Sequence, residues 1–509
     1  MIKNTTLLAL SLVFVCVGCE KSLKLEDLLN QYNDNEEALN IPKNSWIRQY
    51  GTVSAAARNG SATGYELCYG SVVDQEGNSY CGGYTNGAMV GSAAGNYDAF
   101  ITKINPQGQI EWMKQIGANQ AIPGSSAAGL DVIQGLTSDF KGHIYFTGYT
   151  RSSLGEANVN ANNDLFVGKM NASDGSLVWL KQLGSVTIAS SKSAGHENGF
   201  AVAVDSSNGF VYVAGETSAD MVEANSGWDM IFAKFKDVDG SLVWLKQYGS
   251  VTATALTGLA PAGRENCNDI ALSKDGTRLY CAGSTSGALG EAGGGGNDAF
   301  LMSITSNGTF EWVRQFGNTT KGPGGNTSLA DLWHTITLDG SDNIYLAGAT
   351  AGSIGEANGG SDDLLFAKYN KTGNLVWLKQ FGSVTKPLGM ETSGSEYCYM
   401  GFNKKQTALH CVGSSTGVFG EASGGSSDLF SMKMDVDANP IWITHLGAST
   451  VFPGGSSAAA DYAGNRSHHV VDAAGNSFVI GGTGSSLGEA FGGGSYDAVV
   501  VKIKPDGGI

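Results

Sequence analysis

Positive charge is scarce in this chain. Its 509 residues carry 31 Lys and Arg against 47 Asp and Glu, a formal net charge of −16, and only seven of the cations are Arg. A nucleic-acid partner needs clustered cations to replace the counterions on its phosphates, so this balance argues against one. Electrostatic docking on anionic lipid is disfavoured for the same reason. Charge of either sign is low, at 15% of residues, where about a quarter is usual. No later segment approaches the run of about 20 apolar residues that crosses a bilayer as a helix. What the chain has instead is glycine, 74 residues of it, and an apolar fraction of 41%. That fraction suffices for a core and rules out wholesale disorder.

The first residues read as an address. Lys3 is the one charge before a short apolar run, Leu7 to Val17, followed by Val17-Gly18-Cys19. A basic start, a short apolar stretch and a small residue at the cut are the parts of a secretory signal. Cys directly after the small residue resembles a bacterial lipobox, with Cys16 standing where the common pattern has Leu. The resemblance implies a diacylglycerol on Cys19, and Glu20 after it favours the outer membrane. The expected organisation is a signal peptide over 1–18, a lipidated tether over 19–43 and one domain over 44–509. The only membrane contact expected is the lipid anchor.

That domain is a repeat. Trp-x-x-Gln-x-Gly recurs at Trp46, Trp112, Trp179, Trp244, Trp312, Trp377 and Trp442, in steps of 65 to 68 residues, with His445 replacing Gln in the last copy. An Asp opening an apolar strand recurs in phase at Asp98, Asp164, Asp229, Asp298, Asp363, Asp428 and Asp497. A Gly ending an apolar segment recurs at Gly83, Gly148, Gly215, Gly283, Gly348, Gly413 and Gly481. A fixed period of this kind means a solenoid, an array or a propeller.

Each period reads as four strands, A to D. In the second copy they are Asp131 to Ser138, His143 to Thr150, a third opening at Asp164, and Leu177 to Gly184, with tight turns at Lys141-Gly142 and Ser173-Asp174-Gly175. Strand C is apolar on both faces, as a sheet sandwiched between other sheets must be. The repeats begin with a lone D strand, Ser45 to Gly51, and stop after a C strand, Asp497 to Lys504. The first can complete the blade begun by the last and leave no open edge. The expected fold is therefore all-β: a seven-bladed β-propeller of four-stranded antiparallel blades, closed by the N-terminal D strand.

From Asn96-Tyr97-Asp98-Ala99-Phe100 through Trp112-Met113-Lys114-Gln115-Ile116-Gly117, the chain resembles the bacterial β-propeller-repeat family often called SBBP. The resemblance extends over about residues 45 to 509 and implies the fold. The family has no common activity to carry over, though many of its members are predicted lipoproteins.

Beyond Cys16 and Cys19 the cysteines fall in pairs, Cys68/Cys81, Cys267/Cys281 and Cys398/Cys411. In each pair the first lies on strand A and the second on strand B of one blade, where cross-strand neighbours come close enough to bridge. Three disulfides are expected, in keeping with export. No CxxC occurs and no His is spaced to these pairs as a metal ligand would be.

Strand parity puts the A–B and C–D turns at one end of every blade and the longer B–C and D–A connections at the other. Length variation, and hence function, is expected on the second face. The B–C loops carry Glu156, Glu223, Glu291, Glu356, Glu421 and Glu489, with Ser92 in the first blade. A residue repeated in every blade usually fixes its own loop, so these are read as structural. Loop-bound Ca²⁺ is the one cofactor alternative, and otherwise no cofactor or metal is expected. Gly293 to Phe300 matches a calcium-roll nonapeptide in letters but lacks tandem stacking. Gly413-Ser414-Ser415-Thr416-Gly417 matches a nucleophile elbow but ends a strand without a following helix.

The residues that break the repeat on the long-loop side are the candidate ligand contacts: Arg58, His196, Trp228, Arg264, Trp333, Arg466 and His468, with Glu197, His334 and His469 beside them. Trp and Arg are typical anchors of binding surfaces. The expected function is a monomeric, lipid-anchored platform for binding, adhesion or scaffolding, with a protein or glycan partner. An enzyme acting on glycans or peptides and a periplasmic factor for outer-membrane assembly are the alternatives.

Overall fold

In a computed structural model, seven four-stranded antiparallel sheets follow one another. The residues described are 45–509 except 52–63, 91–96, 118–128, 155–157, 159–161, 186–193, 226, 250–262, 290–295, 318–329, 355–357, 359–360, 382–389, 392–394, 420–426, 447–460, 465–469, 485–486 and 488–494. Blades 1 to 6 span 66–116, 131–183, 197–248, 265–316, 331–381 and 396–446. Blade 7 is built from Asp461–Ala463, Ser477–Thr483 and Asp497–Ile503, and its fourth strand is Trp46–Tyr50 from the other end of the chain. That strand runs antiparallel to Asp497–Ile503, with Trp46 opposite Lys502 and Tyr50 opposite Ala498. The ring is thus closed as the offset of the chain ends requires. Among the described residues no helix is long and apolar enough to cross a membrane.

The A strands of successive blades touch one another and form the inner wall, while the D strands lie outermost. The repeated anchors explain how flat sheets become a ring. The anchor Gly of strand B lies where strand A crosses it. A Cβ at Gly83, Gly148 or Gly215 would overlap the carbonyl oxygen of Leu67, Val132 or Asn198, so no other residue fits.

The Gln of the Trp-x-x-Gln motif is a three-way latch. Gln182 Nε2 donates to the Asp164 carboxylate at 2.7 Å and to the Ser152 carbonyl at 3.1 Å, while its Oε1 accepts from the Leu154 amide at 2.8 Å. It ties the outer strand to strand C and to the start of the B–C loop. Gln247 repeats this with Asp229, Ala219 and Met221. In blade 6 His445 stands 3.7 Å from Asp428, beyond hydrogen-bond distance.

The Trp fastens blade to blade. Trp112 Nε1 donates to the Ala172 carbonyl in the C–D turn of the next blade (3.1 Å), Trp179 to Asp237 (2.8 Å), and Trp46 of blade 7 to Pro106 of blade 1 (2.9 Å). The turn glycine it covers, Gly175 beside Trp112, has φ +66° and leaves no room for a Cβ. Strand C Lys residues reinforce the same seam: Lys502 Nζ shares the Pro106 acceptor with Trp46. Where Ser303 replaces this Lys, Arg278 of strand B serves Glu311 at 2.9 Å, the role Lys103 plays for Glu111 in blade 1.

All three disulfides form within blades, Cys68–Cys81, Cys267–Cys281 and Cys398–Cys411, with Cα separations of 5.7, 5.8 and 5.7 Å. They are diagonal rather than directly opposite. Cys68, Cys267 and Cys398 face the anchor glycines Gly83, Gly283 and Gly413, and the sulfur reaches past that bare position to the next inward residue of strand B.

Candidate functional site

Every blade begins with a buried acid at the head of strand A: Glu66, Asp131, Glu197, Glu265, Asp331, Glu396 and Asp461. Its backbone amide donates to the residue just before strand C of the preceding blade. The bonds run Glu66 to Tyr496 (3.0 Å), Asp131 to Tyr97 (3.0 Å), Glu197 to Asn163 (2.7 Å), Glu265 to Trp228 (2.7 Å) and Asp461 to Ser427 (2.9 Å). Its carboxyl takes the hydroxyl that ends strand B, as Glu66 takes Thr85 at 2.7 Å and Glu197 takes Thr217 at 3.1 Å. Sequence reasoning did not single out this ring of acids as a set, although its in-phase spacing was available.

Burial raises five of these carboxyls, and the strand C Asp of the neighbouring blade adds to it. Asp131 is pushed up to about 7 by burial and by Asp98, and Asp331 to about 7 by burial and by Asp298. Glu396 rises to about 8 by burial and Asp363, and Asp461 to about 7 by burial and Asp428. Such values would suit general acids, but these groups are sealed under the blade heads. Their chemistry is to join neighbours across seven seams.

The strand heads carry variable side chains directly above the acids, on the face from which the B–C and D–A connections leave. Here the structure brings together three of the expected residues. The indole of Trp228 meets the His196 ring, stacked with centroids 6.0 Å apart, and the Arg264 guanidinium, 5.0 Å from the ring centroid. Arg264 also grips the buried Glu216 carboxylate with two bonds of 3.0 and 2.7 Å. Nδ1 of His196 accepts from the Asn163 amide at 3.1 Å, and burial, with Arg151 nearby, lowers its pKa. Trp228 is therefore engaged from within the protein by both neighbours.

Trp333 is a correction. It is fully buried (0% exposed) and packs against Phe316 in the interface of blades 4 and 5. It faces Gly348, the place the disulfide cysteines hold in blades 1, 4 and 6, so its bulk fills the volume that a bridge fills elsewhere. Glu197 is likewise an interior seam acid, not a surface contact. His334 sits half-buried on the inner strand of blade 5, beside Tyr397 and Tyr399 of blade 6. Arg58, Arg466, His468 and His469 lie outside the described residues, as do Ser92, Glu156, Glu291, Glu356, Glu421 and Glu489. Glu223 is described and exposed. In blades 2 and 3 asparagines two residues on help to fix the loop: Asn158 and Asn225 donate to the Thr150 and Thr217 carbonyls at 3.3 and 3.0 Å.

The richest part of this rim was missed by sequence reasoning. Tyr65, Tyr69, Tyr84 and Tyr97 of blade 1 meet Tyr462 and Tyr496 of blade 7 in one connected group. Tyr65 stacks on Tyr84 at 5.5 Å and meets Tyr496 edge-on at 5.1 Å; Tyr84 meets Tyr97 at 5.2 Å, and Tyr462 meets Tyr496 at 5.5 Å. Tyr84 hydrogen-bonds with Tyr65 and Tyr69, and burial together with these phenols holds its pKa well above the usual tyrosine range. Five of the six rings are half-buried and Tyr462 is exposed at 42%.

The opposite face is closed by short turns. Asp174 accepts from the Ser176 amide and Asp239 from the Ser241 amide, each at 2.9 Å, and these serine hydrogen bonds lower both carboxyls.

Residues 45–88 match the family model described as beta-propeller repeat, SBBP. No curated protein matches the chain. Among solved structures, a quinohemoprotein alcohol dehydrogenase from Comamonas testosteroni is similar at 13% identity, covering 92% of this chain and 78% of that one, with a TM-score of 0.41. BamB from Moraxella catarrhalis is similar at 12% identity over 86% and 83%, TM-score 0.32. A PL25 polysaccharide lyase, an ulvan lyase with bound sugar, is similar at 10% identity over 91% and 97%, TM-score 0.45. Likeness at this level carries no chemistry from those proteins to this propeller.

Proposed function

We propose that the protein is an exported binding platform that holds a protein or glycan partner on the rim formed by the B–C and D–A ends of its blades. The observation that carries this reading is the segregation of side chains. Residues repeated in every blade are spent on the seams, whereas the unrepeated Tyr, Trp, His and Arg side chains gather at the strand heads of one face. Binding surfaces need varied, partly exposed aromatic and Arg side chains on a rigid support, and the seam network supplies the support. Export and attachment through a lipid on Cys19 are part of the same proposal, supported by the N-terminal sequence and by a bridged cysteine pair in three blades.

The test is capture from a solubilised envelope fraction by the immobilised protein. Trp228→Ala with Arg264→Ala should reduce capture, Glu216→Gln being added so that no buried charge is stranded. Asp174→Ser with Asp239→Ser, on the turn side, should leave capture unchanged. Loss of capture from the turn-side pair alone would reverse the faces and overturn the reading.

A further inference from the structure

We infer that the tyrosine group of blades 7 and 1 is a binding site for a neutral glycan chain. This rests on the rim reading above and names the ligand class of one sector of it. The two chain ends meet here: Tyr65 pairs with Tyr496 by a parallel bridge across the closure seam, with Tyr97 and Tyr84 on one side and Tyr462 on the other. No other seam among the described residues gathers such a set. The corresponding pairs elsewhere are Leu130 with Tyr97, Arg264 with Trp228, and Ser395 with Asp362.

The chemistry selects the ligand. A sugar ring presents C–H faces that lie against aromatic rings and a rim of hydroxyls that both donate and accept. Tyrosine offers both counterparts, an apolar ring and a polar tip. The phenols are already organised as a hydrogen-bonded relay, Tyr69 and Tyr65 with Tyr84, and Tyr462 with Tyr496. A ligand hydroxyl can join such a relay without stranding a buried polar group.

Packing argues against a single small ligand. Neighbouring centroids are 5.1 to 6.4 Å apart, so the rings close on each other and leave outer faces and edges. That makes an extended platform, which suits a chain of sugars. Charge argues against a polyanion. The whole chain carries −16. At Trp228 the ring is engaged by His196 and Arg264 instead, without a phenol in the group.

The probes are mannan, xyloglucan, mixed-linkage β-glucan and starch, each cast in a native gel, with dextran sulfate as the anionic arm. Retardation by at least one neutral polysaccharide is expected. Tyr65→Ala with Tyr496→Ala should weaken it roughly tenfold or more, as loss of two stacking contacts implies. Tyr462→Ala, at the most exposed ring, should weaken it by a smaller factor and serves as the readout if the double variant fails to fold. No retardation by any neutral probe, retardation by dextran sulfate alone, or unchanged retardation in Tyr462→Ala and the folded double variant would overturn the inference. Rim-dependent capture of a protein in the envelope assay would then stand unaffected, so the two failures are distinguishable.

Discussion

Two populations of tyrosine share this chain. Tyr80, Tyr145, Tyr212, Tyr280 and Tyr345 occupy one slot on strand B of blades 1 to 5, buried, with the outer-strand Trp against the ring at 5.9 to 6.5 Å. His410 and Phe478 take the slot in blades 6 and 7 and meet Trp442 and Trp46 in the same way. The second population, Tyr65 to Tyr97 with Tyr462 and Tyr496, lies at the strand heads across a single seam. The side chain is the same in both. What differs is whether its position recurs, and recurrence separates framework from recognition. A propeller needs every seam made, so seam residues repeat. A ligand meets one sector, so its contacts do not.

The largest effect should come from breaking closure. Deleting residues 44–51 removes Trp46 from the slot of blade 7, Gln49 from Asp497 (3.0 Å) and the fourth strand itself. The open edge and the lost seam should abolish cooperative melting of the whole ring, followed by circular dichroism. A truncated protein that melts like the intact one would mean that closure contributes nothing.

The seam acids should make stability depend on pH in a definite direction. Asp131, Glu197, Asp331 and Asp461 at about 7, and Glu396 at about 8, lie above their unfolded values near 4. The native state therefore binds more protons than the unfolded chain through this window. Their contribution is full below about pH 4 and is lost as pH rises through 7 to 8. The melting temperature should fall between pH 6 and pH 8.5. His410, lowered to about 3 by burial and by Lys433, acts with the opposite sign but only below its unfolded value near 6.5. A flat or rising profile from pH 6.5 to 8.5 would show that the seam carboxyls are ionised in the fold.

A smaller effect distinguishes the intact latch from its one exception. Gln247→Ala leaves the buried Asp229 carboxylate and the Met221 amide without that partner and should cost about 2 kcal/mol in urea unfolding. In blade 6 the reverse change, His445→Gln, restores the latch residue to Asp428 and should add about 1 kcal/mol. If His445→Gln destabilises, blade 6 has a closure chemistry of its own.

The repeated half of the molecule was legible in the sequence because repetition multiplies the signal. Trp, Gln, Asp and Gly in phase implied four strands, seven blades and the offset closure, and three cysteine pairs followed from strand position. The rim was legible only in part. Trp228, Arg264 and His196 do converge, but they engage one another and Glu216, which needs the inter-blade distance to be seen. Trp333 misled because a Trp breaking the repeat looks like an anchor, whereas it fills the space of a disulfide. The tyrosine group was invisible for a plainer reason. Tyr65 and Tyr496 come from opposite ends of the chain, and Tyr84 stands four residues after Tyr80 on the same strand, one serving the rim and the other the interior.

The smallest effect is the sharpest test of the two populations. Tyr462 meets Tyr496 edge-on and is 42% exposed, so Tyr462→Ala removes little buried area. Its stability should change by about 0.5 kcal/mol or less, the range of surface substitutions. Tyr145→Ala, in the repeated slot, empties a closed site between Trp179 and Lys169 and leaves the Asp237 carboxylate, which its hydroxyl reaches at 2.6 Å, to Lys169 alone of the two. It should cost about 4 kcal/mol, as large aromatic truncations in cores do. Urea unfolding of both variants measures the contrast directly. Equal costs would mean that the strand-head tyrosines are framework after all, and that recurrence of position does not mark the boundary between what holds this ring together and what it offers to a ligand.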